Sequence, residues 1–418
     1  MANSDGVLLV MASGFPHYRE YLLASIAQRG GPVWLFETER PSWQTPYIAG
    51  STVVDVFDPE AVVAAARELA ARTPVRGVIS YHEAVIEAAA RVAAELGLPG
   101  PAPEAVTAVR DKPTTRRLLD RAGIRQPRHA LVATPEEAAA AAGRIGFPLV
   151  AKPRGLGASQ GVVKVAGEAE LGWAVGVSRT ARQSGMPGHD EILLEQFLAG
   201  PEISVDAAVH DGEYLPYLVA RKRLGGEPYF EETGHVVLAD EPLLRDADLL
   251  RLLADTHRAL GYTHGTTHTE VKLTPEGYAL IEVNGRLGGD LIPYLGLLAN
   301  GVDSGVVAAD LALGVRPEVT AHGTGAVGIR FLYPPETCVA RRVEMPEPDP
   351  GAGLLASVAV AGPGTPLILP PDGAIARYGF LIARGRTAEE CDEVLDRAER
   401  AARFEGDPPH AAREVVSV

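Results

Sequence analysis

Cysteine is scarce in this chain: 418 residues hold two, Cys338 and Cys391. They stand far apart, with no histidines at ligand spacing. That excludes a disulfide framework or a zinc cluster and predicts a reducing, cytoplasmic setting. Positive charge is short as well, with 39 Lys and Arg against 54 Asp and Glu and a formal net charge of −15. Phosphate backbones and anionic membrane surfaces repel such a chain, so neither nucleic acid nor membrane is expected as a partner. No segment reaches the ~18 apolar residues that a membrane span requires. The opening MANSDGVLLVMASG has no basic flank, and its apolar run of about six residues reads as a first core strand, not a signal peptide. Apolar residues are plentiful, at 46% of the chain. The length suggests about three domains.

Residues 6–12, 33–37 and 75–80 read as strands, with a loop at 13–17, a helix from about Tyr18, and alanine-rich helices at 60–72 and 84–97. This alternation predicts a doubly wound α/β domain over roughly 1–105, closed by the Pro-rich LPGPAP at 98–103. A helix carrying Lys112, Arg116 and Arg117 follows, then another at 135–145. Strand patterns return at 192–197, 202–210 and 214–220, a helix is expected at 241–260, and a strand pair at 266–284. From about 320 strands alternate with Pro/Gly-rich turns, and a last helix covers 387–403. No internal repeat is present.

Two familiar phosphate signatures are missing. No Gly-Lys is followed by Ser or Thr at a helix start, and no Gly-x-Gly-x-x-Gly occurs in the stretch PLVAKPRGLGASQGVVKV at 148–165, where Gly161 comes one place late. That stretch instead joins two strands through a glycine-containing tip. Such a tip can fold over a triphosphate with the N–H groups of Gly157, Ala158, Ser159 and Gln160 donating, and with Lys152 adding charge. The alternative is a plain mobile hairpin with a solvated lysine.

The second informative stretch is HTEVKLTPEGYALIEVNGRLGGD at 268–290. Both halves alternate, putting His268, Glu270 and Lys272 on one face with Glu282 and Asn284. A loop of about three residues centred on Glu276 sets Glu270 opposite Glu282 and His268 opposite Asn284. Opposed carboxylates repel each other, and hard oxygen donors converging in this way suit Mg²⁺ bridged to nucleotide phosphates. Arg286 follows, placed to meet a developing negative charge. The alternative is a solvent-facing polar strand face compensated by Lys272.

Taken in order, these stretches resemble the ATP-grasp superfamily, and within it the carboxylate–amine ligases similar to bacterial L-amino-acid ligases. The resemblance runs over roughly 75–330. It implies an α/β fold with an N-terminal pre-ATP-grasp domain at 1–105, a small lobe with the glycine loop at 106–195, a large lobe with the metal site at 196–318 and a C-terminal α+β subdomain at 319–418. RDKPTTRRLLDRAGIRQP supplies Lys112 as the first nucleotide lysine, and FPLVAKPRGLGASQGV supplies Lys152 and the phosphate loop. LLEQFLAGPEISVDAAV resembles the adenine hinge, implying Glu195 and Leu198 near the base and Glu202 near the ribose.

The resemblance further assigns Glu270, Glu282 and Asn284 to metal, two Mg²⁺ ions with Mn²⁺ as the substitute, and Arg286 to the tetrahedral intermediate. Gly285 departs from the proline of many members. YFEETGHVVLAD at 229–240 resembles a loop near the amino-acid substrates, which brings in Glu232 and His235; a turn histidine without a catalytic duty is the other reading of His235. Lys222 is assigned to phosphate or, alternatively, to a strand surface, and Glu83 and Arg330 to substrate contacts.

The implied reaction joins an amino-acid carboxylate, α or side-chain, to an amine through an acyl phosphate, releasing ADP and phosphate. A purine-pathway or biotin-carboxylase-like enzyme and a nucleotide-binding module without turnover are the competing readings. A protein kinase is disfavoured because no His-Arg-Asp or Asp-Phe-Gly occurs. The last hundred or so residues are expected either to shape the substrate pocket or to build a homodimer interface.

Overall fold

The computed structural model describes residues 6–409; the extreme ends of the expected first and last segments, 1–5 and 410–418, lie outside the described residues. The described residues form two compact units, one from 6–126, 203–219 and 241–322, the other from 127–202, 220–240 and 323–409. Each unit therefore draws on more than one of the four expected segments.

The first unit opens with a parallel four-stranded sheet in the order Gly50–Val53, Val33–Glu37, Val7–Met11, Val75–Ile79. Val7–Met11 is buried throughout, as a central parallel strand must be. Its side chains alternate between two cores. Val7, Leu9 and Met11 pack with Val62, Ala66 and Val92, whereas Leu8 and Val10 pack with Leu22, Ile26, Ala309 and Ala312. The doubly wound domain is thus as expected, with differences in detail. The first helix begins at Pro16, two residues before Tyr18, because proline suits the first helical position. Strand Gly50–Val53 and helices Pro103–Arg110, Ile292–Asn300 and Ser304–Ala312 were not legible; the last covers the second sheet face.

The remainder of this unit is a set of strands in the order Gly277–Asn284, Gly265–Thr274, Glu202–His210 and the first half of Glu213–Gly225. Helix Ala247–Ala259 packs on it through Leu249 and Leu253.

In the second unit an antiparallel sheet runs His129–Val132, Ile192–Gln196, Leu149–Pro153, Val163–Val165. Helices Pro135–Ile145 and Glu168–Thr180 cover it through Ala138, Ala141, Leu171 and Ala174. The first of these carries a capping box, Thr134 accepting from the Glu137 amide while Glu137 reaches back. The rest of the unit runs from the second half of Glu213–Gly225 through Glu231–Leu238, Ala326–Leu332 and Gly379–Gly385 to Leu354–Ala359. Helix Ala388–Ala401 packs over it through Cys391, Leu395 and Ala398. The expected loop at 229–240 is therefore mostly a strand. Gly234 makes that possible, since a Cβ there would lie 2.5 Å from the Ile329 carbonyl oxygen. Both cysteines are buried and free. Among the described residues no single helix is long and apolar enough to cross a membrane.

Candidate active site

In the first unit the two-stranded hairpin pairs Glu270 with Glu282 and His268 with Asn284, the register expected. The route to it differs. Thr274 pairs with Gly277 across a two-residue turn, and an extra residue between Leu280 and Glu282, Ile281, bulges out of the ladder to restore that register. The bulge lets Leu280 and Val283 enter the same core while Glu282 stays half-exposed beside Glu270.

Lys112 comes to this hairpin from the start of helix Lys112–Arg121. Asp111 caps that helix by accepting from the Thr114 amide and hydroxyl, at 3.2 and 2.6 Å. The Lys112 Nζ is buried and 3.2 Å from Glu282 Oε1. On the other carboxylate, His268 Nε2 is 3.8 Å from Glu270, while His268 Nδ1 is 2.6 Å from the buried Asp206. Burial alone would lower the imidazole pKa, but Asp206 and then Glu270 outweigh it and bring it to about 9. Asp206 also accepts from the Gly288 amide at 3.2 Å. Gly288 is required there, because a Cβ would stand 2.9 Å from an Asp206 oxygen. Asp206 and His268 were not read as site residues; the i,i+2 spacing of His268 and Glu270 on one strand face was the available signal.

Glu270, Glu282 and Asn284 form a hard oxygen set that fits Mg²⁺, each acid meanwhile facing a cationic side chain. Gly285 is buried against Tyr262 and Val109, with Cβ distances of 3.1 to 3.3 Å to them. Tyr262 thus fills the place where a larger residue would sit.

Arg286 is clamped on two sides: Nε donates to Glu83 Oε2 and Nη1 to the Leu287 carbonyl at 2.8 Å. Glu83 Oε1 accepts from Arg110 at 2.8 Å. Glu83, expected as a substrate contact, is therefore the partner of two arginines. It stands on the turn after strand Val75–Ile79, where the Ser80 hydroxyl donates to Met11 and accepts from the His82 amide. Burial would raise its pKa, but Arg286 and Arg110 outweigh that and hold the carboxyl at about 2.

The folded value lies below the ordinary 4.5, so this stabilisation is complete above pH 4.5 and fades as pH falls toward 2. At 1.36 kcal/mol per pH unit it amounts to about 3 kcal/mol. Glu83→Gln should therefore lower the urea unfolding free energy at pH 7 by a gap that narrows progressively below pH 4.5. A gap independent of pH would contradict the pairing.

The second unit holds the other candidates. Lys152 and Glu195, on adjacent antiparallel strands, are both buried and 2.7 Å apart. The glycine loop joins Leu149–Pro153 to Val163–Val165, with Ala158, Ser159 and Gly161 at φ of 55, 52 and 73°. Two of its four expected N–H donors are already engaged, Gly157 by the Gln183 side chain at 3.0 Å and Gln160 by the Gly157 carbonyl at 3.2 Å. Among the described residues the Ala158 and Ser159 amides remain.

Gly161 is needed for its positive φ and because a Cβ would lie 2.5 Å from Ala181 and 2.9 Å from Pro153. Gly161→Ala should displace the loop and weaken ATP-analogue binding by about tenfold, about 1.4 kcal/mol, with a melting temperature lowered by a few degrees. Unchanged nucleotide affinity would show that the loop's shape does not matter to the ligand.

Glu202, Lys222, Glu232 and His235 make one chain of contacts. Lys222 Nζ is 2.9 Å from Glu202 and 2.6 Å from Glu232, and Glu232 is 3.2 Å from His235 Nε2. His235 sits opposite Lys222 in the strand register and is buried, so it is not a turn histidine. The Glu232 carbonyl accepts from the Tyr333 hydroxyl at 3.0 Å and from Arg377 at 3.2 Å. Arg377, absent from the sequence reading, lies 3.6 Å over the Phe331 ring. Leu198 is half-buried just beyond strand Ile192–Gln196. Arg330 corrects an expectation. It is buried, and its Nη1 and Nη2 are bound to Asp392, Asp396 and Glu399 of helix Ala388–Ala401, so its charge is taken up in pinning that helix.

Residues 145–293 match the ATP-grasp domain family and residues 33–100 the ATP-grasp N-terminal domain family. The chain belongs to the ATP-grasp superfamily. The uncharacterized protein y4rH of Sinorhizobium fredii is 27% identical over 377 residues, 84% of this chain and 73% of that protein. Alanine–anticapsin ligase of Bacillus subtilis is 29% identical over 264 residues, and the match covers 56% of this chain and 54% of the ligase. The chain thus matches about half the length of that named enzyme. The crystal structure of an L-amino acid ligase from Bacillus licheniformis superposes with a TM-score of 0.79 over 96% of this chain and 99% of that one, at 21% identity. That likeness is one of ATP-grasp fold. ATP-grasp enzymes in general use ATP and Mg²⁺.

Proposed function

We propose that this protein is an ATP-dependent carboxylate–amine ligase that activates an amino-acid carboxylate as an acyl phosphate and transfers the acyl group to an amine, releasing ADP and phosphate. The observation that carries this reading is the register of Glu270 on Glu282 with Arg286 clamped two residues beyond Asn284. A nucleotide binder without turnover has no use for a half-buried guanidinium held in one orientation. The alanine–anticapsin ligase relative supports an amino-acid substrate class.

In this reading the donor carboxylate attacks the γ-phosphate. Lys112 and Lys152 offset charge on the phosphates, and the Ala158 and Ser159 amides donate to their oxygens. Glu270, Glu282 and Asn284 would hold Mg²⁺, which neutralises charge on the transferring group. Glu195, Leu198 and Glu202 belong to the nucleoside end, and Lys222 to phosphate by way of its Glu202 contact. Arg286 donates to the oxyanion as the amine attacks. Glu232 and His235 belong to the amine, where an imidazole beside a carboxylate can take the proton that the amine gives up. The setting is a reducing cytoplasm.

The test is product identity. Mg²⁺-ATP with amino acids offered singly and in pairs should yield ADP, phosphate and a new amide mass for at least one pair. AMP and pyrophosphate would overturn the acyl-phosphate chemistry.

A further inference from the structure

In the first unit's parallel sheet the strand order reverses between Val7–Met11 and Val75–Ile79, since Val33–Glu37 and Gly50–Val53 lie on one side and Val75–Ile79 on the other. Ligands of open α/β sheets bind outside the carboxyl ends of the strands at such a point. The segment after Val7–Met11 carries no phosphate fingerprint. It carries Gly14 at a φ of 74°, the 77% exposed Phe15 and, on the helix it feeds, Arg19.

Arg19 is half-buried, with its guanidinium 5.5 Å from the centre of the buried Tyr81 ring. Of its five N–H donors one is used, Nη1 to the Gly288 carbonyl at 3.1 Å, and among the described residues it makes no ion pair. Burial lowers its pKa most, Tyr21 acts the other way, and repulsion from Arg286 lowers it further, against smaller opposing effects of Tyr81 and Asp290. Arg286 in turn uses Nε and Nη1 and offers Nη2. Gly289, next to Arg19's acceptor, has open space where a side chain would stand. Two guanidiniums that repel each other beside open space are the arrangement an anion relieves.

We propose that Arg19 binds the carboxylate that an amino-acid substrate keeps through the reaction, beside the Arg286 that meets the reacting one. The assignment rests on the ligase reading for the word substrate, and on geometry for the site. A planar guanidinium with paired donors matches a carboxylate in a bidentate fashion.

The experiment is calorimetric binding of L-alanine, L-glutamate and L-phenylalanine, and of their carboxamides, to the full chain with Mg²⁺ and a non-hydrolysable ATP analogue. At least one amino acid should bind the wild type more tightly than its carboxamide. Arg19→Gln should weaken that amino acid by about 10- to 100-fold and leave its carboxamide and the nucleotide unchanged. Arg19→Lys should recover part of the loss, and it carries the test if the glutamine variant loses nucleotide binding.

Equal affinity of amino acid and carboxamide, undiminished binding by both variants, or no binding of any amino acid to the wild type would overturn the proposal. Amide synthesis assayed alongside separates the two readings. Binding that depends on Arg19 without any amide product would sink the ligase and keep the site; amide product with Arg19-independent binding would do the reverse.

Discussion

Arg286→Ala is expected to reduce amide formation by about 10²- to 10³-fold, the usual effect of removing a preorganised oxyanion donor, while Mg²⁺-ATP-analogue affinity changes less than twofold. The reason is the clamp. Glu83 holds Nε and the Leu287 carbonyl holds Nη1, so Nη2 meets charge without first having to be ordered. Burial lowers the guanidinium pKa, yet Glu83 more than restores it, so the group stays cationic across any working pH. Arg286→Lys should recover little, because an ammonium cannot keep both clamps and still present a donor. Single-turnover measurement should locate the loss after phosphate transfer, as continued ADP release without amide. Equal losses in nucleotide binding and amide formation would remove Arg286 from the chemistry.

The second large effect is expected from Glu282→Gln. A metal clamp on a transferring phosphoryl group is worth several kcal/mol, so Mg²⁺-dependent turnover should fall by at least about 10³-fold, with the Mg²⁺ concentration for half-saturation raised. Glu282 also holds Lys112 at 3.2 Å, so activity alone would not separate metal from lysine. Calorimetric binding of Mn²⁺ in the presence of an ATP analogue does. Glu282→Gln should weaken it at least tenfold, whereas Lys112→Met should leave it within about threefold and weaken the nucleotide instead. Intact Mg²⁺-dependent turnover in Glu282→Gln would mean the hairpin has been misread.

Local features of this protein were legible, and long-range partnerships were not. The hairpin register came out of alternation alone, because burying Val271 and Val283 leaves one way to face Glu270 with Glu282. The bulge at Ile281 was invisible, since a two-residue turn plus one extra residue ends at the same pairing as a longer turn. Strand Glu231–Leu238 was taken for a loop because Glu-Glu-Thr-Gly-His has weak strand character; its pairing with Ala326–Leu332 overrides that. Arg286 meets Glu83 across 203 residues of sequence, and His268 meets Asp206 across 62. Nothing local marks such pairs. Arg330 shows the converse, a conspicuous arginine on a strand whose charge is taken up by three acids of one helix.

The central claim is transfer of phosphate to a carboxylate before the amine attacks. It is tested most directly by supplying the donor amino acid with heavy oxygen in its carboxylate and following the label through one turnover with Mg²⁺-ATP and the acceptor amine. The account predicts one labelled oxygen in the released inorganic phosphate and one kept in the amide. Label in AMP, or phosphate free of label while amide forms, would contradict it.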